Sequence, residues 1–530
     1  MSDNESGIVQ GNVPKHEQAS EPSPKKGSIN PPVFFTSAGL LVSLLAFSVA
    51  MPDTAIAFFS AIKNWITVSF GWFYVSSVMG FFIFALWLMN SRYGQIRLGA
   101  DDERPAYSYG AWIAMLFAAG MGIGLVFYGV AEPIYHYASP PVGDGLTPEA
   151  SAHAIPLTYH HWGIHAWAIY AILALSIAYF SFRKGLPLTL RSCFYPLFGK
   201  RLDGWLGHSI DILAVFGTLF GLATSLGVGA KSVSAGLNHL FGIANTPGTQ
   251  VTIIAVITCA AAISLVTGVD KGIKRLSEIN MILAGLLLVF VFSFGPTVAI
   301  LNFLVESIGI YLSNFVERSF RMGQSAPATE GKWIQDWSVV YWGWWIAWAP
   351  FVGVFVARIS RGRTIREFVL TVMCVPVLIS FIWFAVFGGT ALTLEAAGAN
   401  IVQAVTADEA TAVYAVLEHL PMSSIACFVT MVVITIFFVS SSDSASYVVD
   451  MLTSGGHTDP PMWQRIFWAS AEGATAGVLV YAAGEEVLTG LKAGVVAFGL
   501  PFCALVVLAC ISLVKALRTE ENLPKQHGVD

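Results

Sequence analysis

Apolar stretches of about twenty residues recur along almost the whole chain, and they constrain its fold more than any other feature. A membrane helix needs ~20 apolar residues to cross ~30 Å of hydrocarbon, and it pairs every backbone polar group internally. Because many stretches meet this requirement, the sequence predicts an all-α integral membrane protein with twelve transmembrane helices. The predicted spans are residues 33–52, 68–90, 108–136, 163–182, 209–230, 250–268, 279–303, 336–358, 367–391, 422–448, 465–483 and 490–514.

The composition agrees with a membrane protein and argues against other classes. Hydrophobic residues make up 55% of the 530-residue chain and charged residues only 12%, whereas soluble domains carry roughly a quarter charged residues. The net charge of -5 and the dispersed basic residues argue against nucleic acid as a partner. The six cysteines form no CxxC pair, so neither a disulfide framework nor a metal site is expected.

The distribution of Lys and Arg orients the predicted spans, because cytoplasmic loops collect basic residues. With both termini inside, 22 of the 28 basic residues fall in cytoplasmic segments. We therefore expect a disordered cytoplasmic tail over residues 1–31, a membrane domain over 32–516 and a short cytoplasmic tail over 517–530. Residues 304–322 alternate apolar and charged positions at helical spacing, which predicts an amphipathic helix on the outer surface.

The third predicted span carries an unusual run of glycines. Gly120, Gly122 and Gly124 occupy every second position of an apolar stretch, and Gly129 follows. Glycine weakens a helix by up to ~1 kcal/mol per residue, so the run predicts a break that frees backbone amides. Close packing between helices through small residues is the alternative, and the spacing alone does not decide between them.

Tryptophan is concentrated in the eighth predicted span, where six of the chain's 16 tryptophans lie between residues 333 and 348. An interfacial belt accounts for those at the outer boundary, but Trp344, Trp345 and Trp348 lie deeper and predict an aromatic cage. A cation over a Trp ring gains ~0.5–2 kcal/mol, and quaternary ammonium is suited best because its methyl groups donate no hydrogen bonds. The fourth span adds further rings at Trp162, Trp167 and Tyr170.

Hydroxyl groups are concentrated near the end of the tenth predicted span. The segment FFVSSSDSAS contains five serines beside Asp443. Serine hydroxyls in membrane helices often bond to the preceding turn, but hydroxyl and carbonyl oxygens around a broken helix also suit a dehydrated Na⁺. The residues alone leave both interpretations open.

Four segments together resemble a known family. GMGIGLVFYGVAEP, HWGIHAWAIY, WGWWIAWAPFVGVFVARISRGR and FFVSSSDSAS are similar to segments of the betaine/choline/carnitine transporters, and the similarity covers about residues 32–516. The resemblance implies a LeuT-like fold in which spans 3–7 and 8–12 form inverted five-helix repeats, preceded by two extra helices. It also implies a homotrimer in the bacterial inner membrane that carries a small zwitterion, has no enzymatic activity and needs no cofactor besides Na⁺ as coupling ion.

The resemblance assigns residues to the substrate site. The family's aromatic box corresponds to Trp162, Trp167, Tyr170, Trp344, Trp345 and Trp348, with Phe355 as a gate-lining ring. The glycine run adds Gly120, Met121, Gly122 and Gly124. Because Gly124 stands where some choline-carrying relatives have Asp, a zwitterion such as glycine betaine is expected, and a methyl sulfonium zwitterion fits nearly as well.

The resemblance also assigns ligands to sodium. Positions that hold one Na⁺ in sodium-coupled relatives correspond to Ala118, Met121, Phe437, Ser440 and Ser441, and a second Na⁺ would involve Thr218 and Phe351. Sodium-independent carnitine exchangers carry an Arg in the fifth span, and no Arg occurs between residues 205 and 230. The expected function is import of an onium zwitterion, with glycine betaine first, by Na⁺ symport and alternating access.

Alternative functions remain open at the level of sequence. A proton-coupled or exchange-type carrier could take choline, carnitine, dimethylsulfoniopropionate or ectoine. A carrier for amino acids would need polar acceptors near the rings, and a membrane enzyme would need converging catalytic groups. The intramembrane ionisable residues, Glu132, His165, Asp211 and Asp443, are too scattered along the chain to suggest such a site.

Overall fold

A computed structural model describes residues 29–120, 122–267, 270–324, 328–457, 459–483 and 487–520. Within these ranges the ordered elements are helices, and β pairing is limited to an isolated bridge between Arg97 and Thr364. Nine helices of the described residues are long and apolar enough to cross a membrane. The prediction of an all-α membrane protein is therefore confirmed, whereas the count of twelve spans and the inverted repeat stay predictions.

The first half of the chain contains long apolar helices separated by short connections. The helices described there are α1 (Pro31–Ala50), α2 (Pro52–Asn90), α3 (Tyr109–Gly120), α4 (Ile123–Ala138), α5 (Pro148–Trp162), α6 (Ile164–Ala178), α7 (Tyr195–Phe198), α8 (Trp205–Phe241), α9 (Pro247–Thr267) and α10 (Asp270–Phe294).

The second half combines five long helices with shorter ones. The helices described there are α11 (Thr297–Ser313), α12 (Phe315–Phe320), α13 (Ala328–Asp336), α14 (Ser338–Ile359), α15 (Ile365–Ala396), α16 (Ile401–Ala407), α17 (Ala412–Leu417), α18 (Ser423–Thr453), α19 (Met462–Ala483) and α20 (Val487–Leu517).

Local sequence signals explain several helix boundaries. Thr364 caps α15 by accepting a bond from the backbone N–H of Glu367, whose carboxylate accepts in return from the Thr364 N–H. This reciprocal arrangement satisfies two backbone donors that a helix start leaves unpaired. Thr147 caps α5 in a similar way through the Ala150 N–H.

The third predicted span is broken at the glycine run. Helix α3 ends at Gly120, and α4 begins at Ile123 after an extended Gly122 with φ -160° and ψ -177°. An extended residue cannot continue the helical hydrogen-bond ladder, so the first N–H groups of α4 lack intrahelical partners. The break that the glycine spacing indicates therefore includes Gly122.

The segment expected to form one amphipathic helix over residues 304–322 is divided in the structure. Helix α11 begins earlier, at Thr297, and ends at Ser313, and α12 follows from Phe315. Between them, Asn314 has a non-helical backbone and its side-chain amide donates to the Ile310 carbonyl. This side-chain bond competes with continuation of the helix, which the alternation of charge does not reveal.

Burial separates central helices from peripheral ones. In the most apolar 18-residue stretch of Pro148–Arg183, which contains α5 and α6, 94% is buried inside the protein. The same share for Thr329–Ile359, which contains α14, is 83%. The corresponding shares for α1 and for residues Arg275–Phe294 are 28% and 22%. Helix α14 packs against α6, α8 and α20, so the tryptophan-rich segment lies in the middle of the bundle.

One end of the bundle is rich in arginine, and we call it the arginine-rich end; it contains Arg97, Arg183, Arg361 and Arg363. Arg183 forms ion pairs with Glu520 and Asp101, and the Leu98 N–H donates to the Arg363 carbonyl over 2.8 Å. Segments that the basic-residue distribution predicts on one side of the membrane thus meet at one end.

Candidate functional site

Four of the rings predicted for the cage come from three helices and meet in the interior. Trp344 and Trp345 stack with centroids 4.9 Å apart and an interplanar angle of 13°. Trp162 approaches Trp345 edge-on at 4.9 Å and Trp344 at 6.3 Å, and Tyr170 lies 6.3 Å from Trp345. None of these four side chains is more than 9% exposed, so they face the protein interior and not lipid.

Two tyrosines that were not predicted from the sequence extend this group. Tyr128 of α4 lies 5.8 Å from Trp162 and 6.1 Å from Trp344, and Tyr341 of α14 lies 5.6 Å from Trp345. Tyr341 precedes Trp344 and Trp345 by three and four residues, a spacing that puts the three on one helix face. We call the assembled group the aromatic cluster; it consists of Tyr128, Trp162, Tyr170, Tyr341, Trp344 and Trp345.

A buried carboxylate at Glu132 holds two of these rings. Its Oε2 accepts a hydrogen bond of 2.7 Å from Trp162 Nε1 and another from the Tyr341 hydroxyl. Its Oε1 lies 2.6 Å from His161 Nδ1 and 3.2 Å from His136 Nε2. Because Glu132 is fully buried, these partners offset the cost of removing its charge from water.

The same carboxylate and two histidines have the composition of a metal site. Glu132, His136 and His161 present ligand atoms that lie within 4.8 Å of one another. Both carboxylate oxygens already accept hydrogen bonds, including those from Trp162 and Tyr341. These hydrogen bonds therefore explain why Glu132, His136 and His161 lie together: the three residues hold the rings in position. The spacing of Glu132 and His136, four residues apart, was a signal for this pair in the sequence.

Two glycines of α4 and its N-cap border the aromatic cluster. A Cβ atom at Gly124 would lie 2.7 Å from Cη2 of Trp162, whereas a Cβ atom at Gly122 would meet nothing within 4 Å. The absence of a side chain at Gly124 therefore lets the Trp162 indole contact the α4 backbone. Because a helix N-terminus carries a partial positive charge and free N–H groups, this border favours an anionic ligand group.

Comparison with known proteins identifies the kind of protein that carries this site. Residues 32–522 match the family described as BCCT, betaine/carnitine/choline family transporter. The chain belongs to this family. A glycine betaine/proline/choline/ectoine transporter of Vibrio parahaemolyticus is 45% identical to the transporter over 499 residues, which cover 93% of this chain and 88% of the relative.

Further relatives are described as glycine betaine transporters. A glycine betaine transporter of Bacillus subtilis is 43% identical over 491 residues, which cover 92% of this chain and 95% of the relative. A glycine betaine transporter of Acinetobacter baylyi is 43% identical over 505 residues, with coverage of 95% and 76%. The family resemblance is therefore confirmed, and the protein is a multi-pass membrane transporter of a small molecule and not an enzyme.

Not every ring predicted for the cage joins the aromatic cluster directly. Trp167 contacts Tyr170 with centroids 5.5 Å apart. The Trp348 ring is partly exposed, packs against Gly221 of α8 and lies 5.3 Å from Phe351. Phe355 lies further along α14 and is partly buried against the core. Trp348 therefore also contributes to the contact between α8 and α14, and its assignment to the substrate site stays a prediction.

Two of the residues predicted to bind sodium or substrate in the third span lie at the end of α3. Ala118 and Gly120 belong to its last turn, and Met121 lies outside the described residues. The backbone carbonyls at the end of a helix have no intrahelical donors. The end of α3 thus has free acceptors of the type that a cation requires.

The predicted sodium ligands of α18 lie within about one helical turn. The Ser440 hydroxyl donates to the Phe437 carbonyl over 3.3 Å, so these two oxygens are close enough to bind one ion. Ser441 follows on the same helix, which packs against α4 and α8. On α8, Thr218 is 1% exposed and its hydroxyl lacks a hydrogen-bond partner among the described residues.

Proposed function

We propose that the transporter imports a zwitterion with a methylated onium group, and that glycine betaine is its first candidate substrate. The observation that carries this proposal is the buried aromatic cluster, in which the stacked pair Trp344 and Trp345 meets the edge of Trp162. Each ring face contributes ~0.5–2 kcal/mol to binding a cation whose charge is spread over methyl groups. The relatives from Bacillus subtilis and Acinetobacter baylyi, described as glycine betaine transporters, support the same substrate class.

The other half of the zwitterion is its carboxylate, and the N-terminus of α4 is the group that would bind it. Gly122 leaves open space there, and Gly124 keeps the α4 backbone against Trp162. A carboxylate would accept hydrogen bonds from the free N–H groups while the onium head contacts the rings. A carboxylate carried by the protein at Gly124 would compete for both the amides and the space.

The proposed coupling ion is Na⁺. It would be bound by the carbonyls of Ala118, Met121 and Phe437 together with the hydroxyls of Ser440 and Ser441, and a second ion would use Thr218 near Phe351. An ion bound by both α3 and α18 would link the broken span to a helix that packs against α4 and α8. Because coupling is reciprocal, Na⁺ must raise substrate affinity by the factor by which substrate raises Na⁺ affinity.

Family membership and the distribution of basic residues support a proposed setting for this activity. We expect a homotrimer in a bacterial inner membrane, with alternating access of a LeuT-like inverted repeat. Both termini would be cytoplasmic, and the arginine-rich end would face the cytoplasm because positively charged loops are retained there.

Uptake by the purified transporter in liposomes tests this proposal. Labelled glycine betaine is expected to accumulate under an inward Na⁺ gradient and not under an equal K⁺ gradient. Unlabelled choline, carnitine, dimethylsulfoniopropionate and ectoine are then added singly as competitors. Ser440→Ala should weaken the Na⁺ dependence, whereas Ser43→Ala should not, because the Ser43 hydroxyl is exposed and bonds its own helix at Gly39. Equal accumulation in both salts would refute sodium coupling.

A further inference from the structure

A second buried acid lies away from the aromatic cluster, between α18 and α19. Glu472 of α19 is fully buried. Its Oε2 accepts a hydrogen bond of 2.7 Å from the Ser446 hydroxyl and a longer one of 3.4 Å from Ser442, both on α18. Its Oε1 has no hydrogen-bond partner among the described residues. One oxygen of this carboxyl group is therefore held and the other is available.

Asp450 of α18 is the second unsatisfied acid at this contact. It is 1% exposed, and neither of its carboxylate oxygens has a hydrogen-bond partner in the described ranges. The Gln464 side-chain amide donates to the backbone carbonyl of Asp450 over 2.9 Å. Arg465, near the start of α19, acts on Asp450 through its charge.

Two of the charges that act on Glu472 are of its own sign. Helix α19 packs against α1, α2, α8, α9, α18 and α20. Asp450 and Asp443, both from α18, are acidic side chains that act on Glu472. An ionised carboxylate buried without a counter-charge costs several kcal/mol, and a like charge nearby adds to that cost. The environment of Glu472 therefore favours a carboxyl group whose negative charge is neutralised by a bound cation.

We propose that Glu472 binds a proton that moves with the substrate. The proton is taken from water on one side, forms an O–H bond at Oε1 while Oε2 keeps its bond from Ser446, and is released to water on the other side. Protonation removes the repulsion between Glu472 and the two aspartates of α18. The helix that carries Phe437, Ser440 and Ser441 can then change its contact with α19.

A proton suits this position better than a metal ion does. The carboxylate is held by hydroxyls that donate to Oε2, so their hydrogens point toward the acid and not their lone pairs. Ionisable groups inside membrane segments commonly mark the paths of coupled protons and ions. The proposal rests on the proposed transport function only in that a substrate must be carried; it does not depend on which onium compound this is.

The first test is spectroscopic and needs no substrate. In the infrared spectrum of the purified transporter at neutral pH, we expect a carboxylic-acid C=O band that is absent from Glu472→Gln. The glutamine keeps an oxygen that can accept from Ser446 but does not titrate. Glu306→Gln, which changes an exposed acid of α11, should leave the band unchanged. A spectrum of the wild type that equals that of Glu472→Gln would overturn the proposal.

The second test follows the proton during transport. Liposomes are loaded with a pH indicator, Na⁺ is equal on both sides, and glycine betaine is added outside. We expect internal acidification by the wild type and by Glu306→Gln, and a rate reduced about tenfold or more in Glu472→Gln. Glycine betaine affinity in detergent should stay within about twofold of the wild type in Glu472→Gln, since a folded site with lost coupling is what the proposal requires.

The two readouts separate this inference from the substrate assignment. If the wild type does not bind glycine betaine, the substrate assignment fails, and the acidification assay is repeated with choline and with ectoine. If a substrate enters the liposomes without acidification, or if Glu472→Gln acidifies them at the wild-type rate, the proton site is refuted. Acidification that is lost in Glu472→Gln with intact substrate binding supports it.

Discussion

Trp162 and Glu132 are joined by a hydrogen bond of 2.7 Å between the indole Nε1 and the carboxylate Oε2. The bond connects α5 to α4, and the same carboxylate oxygen accepts from Tyr341 of α14. Three helices thus share one buried acceptor beside the rings. Because Gly124 of α4 also contacts the Trp162 ring, a movement of α4 at the glycine break would move a wall of the aromatic cluster.

Replacing Glu132 by Gln should loosen the rings. The amide has one acceptor oxygen in place of two, so at least one buried donor loses its partner at a cost of ~1–3 kcal/mol. We expect glycine betaine affinity to fall about tenfold and the unfolding temperature to drop. Titration calorimetry and thermal unfolding measure these effects, with Glu306→Gln as the exposed-acid control. An affinity within experimental error of the wild type would show that Glu132 does not position the rings.

The substitution Gly124→Ala should displace Trp162. Its methyl group would lie 2.7 Å from the indole Cη2, a distance that forces a shift of the ring or of α4. We expect uptake to be lost while the protein still inserts and expresses. Gly80→Ala serves as the control, since a Cβ atom there meets nothing within 4 Å. Normal uptake by Gly124→Ala would mean that the Trp162 position is not required.

Trp344 and Trp348 should differ in how their loss affects the transporter. Trp344 stacks within the aromatic cluster, whereas Trp348 packs against Gly221. Trp344→Ala should abolish substrate binding, and Trp344→Phe should keep part of it because a ring face remains. Trp348→Leu should retain binding but lose uptake, since it alters the contact between α8 and α14. Binding and uptake are measured separately. Loss of binding in Trp348→Leu as well as in Trp344→Ala would contradict this distinction and place Trp348 in the binding site.

The C-terminal end of α20 should show a defined pH dependence. Burial opposes ionisation of Glu520, but hydrogen bonds from Arg183, Lys184 and Tyr179 lower its pKa to about 2. Because the folded-state pKa lies below the unfolded value of about 4.3, the stabilisation is complete above that value and is lost as the pH falls toward 2. The difference in unfolding temperature between wild type and Glu520→Gln should therefore shrink below about pH 4.3. Asp102→Asn, an exposed acid, is the control; a difference independent of pH would contradict the ion-pair account.

Much of the fold was predictable because it depends on local composition. The apolar stretches set the long helices, and the glycine run at residues 120–124 marked the break between α3 and α4. The division of α11 from α12 was not predictable from the charge pattern, because it depends on the Asn314 side chain bonding to the Ile310 carbonyl. A single polar side chain can end a helix without altering its periodicity.

The candidate site was predictable only in part. Helical spacing groups residues on one helix, but it does not say which neighbouring helix they face. Trp344 and Trp348 share a helix face by spacing, yet only Trp344 stacks with Trp345, because Gly221 of α8 makes room for Trp348. Glu132 was considered one of several scattered acids, because its bond to Tyr341 joins residues 209 positions apart. Such long-range contacts appear only when the helices are packed.

The preference for methylated onium groups is tested most directly by titrating glycine betaine, dimethylglycine and glycine into the purified transporter in NaCl. Rings attract a diffuse methylated cation, whereas a primary ammonium requires hydrogen-bond acceptors. We predict that affinity falls with each methyl group removed, that glycine does not bind measurably, and that Trp344→Ala abolishes the binding of glycine betaine. Equal affinity for glycine and glycine betaine, or unchanged binding of glycine betaine by Trp344→Ala, would contradict the assignment of the aromatic cluster as the substrate site.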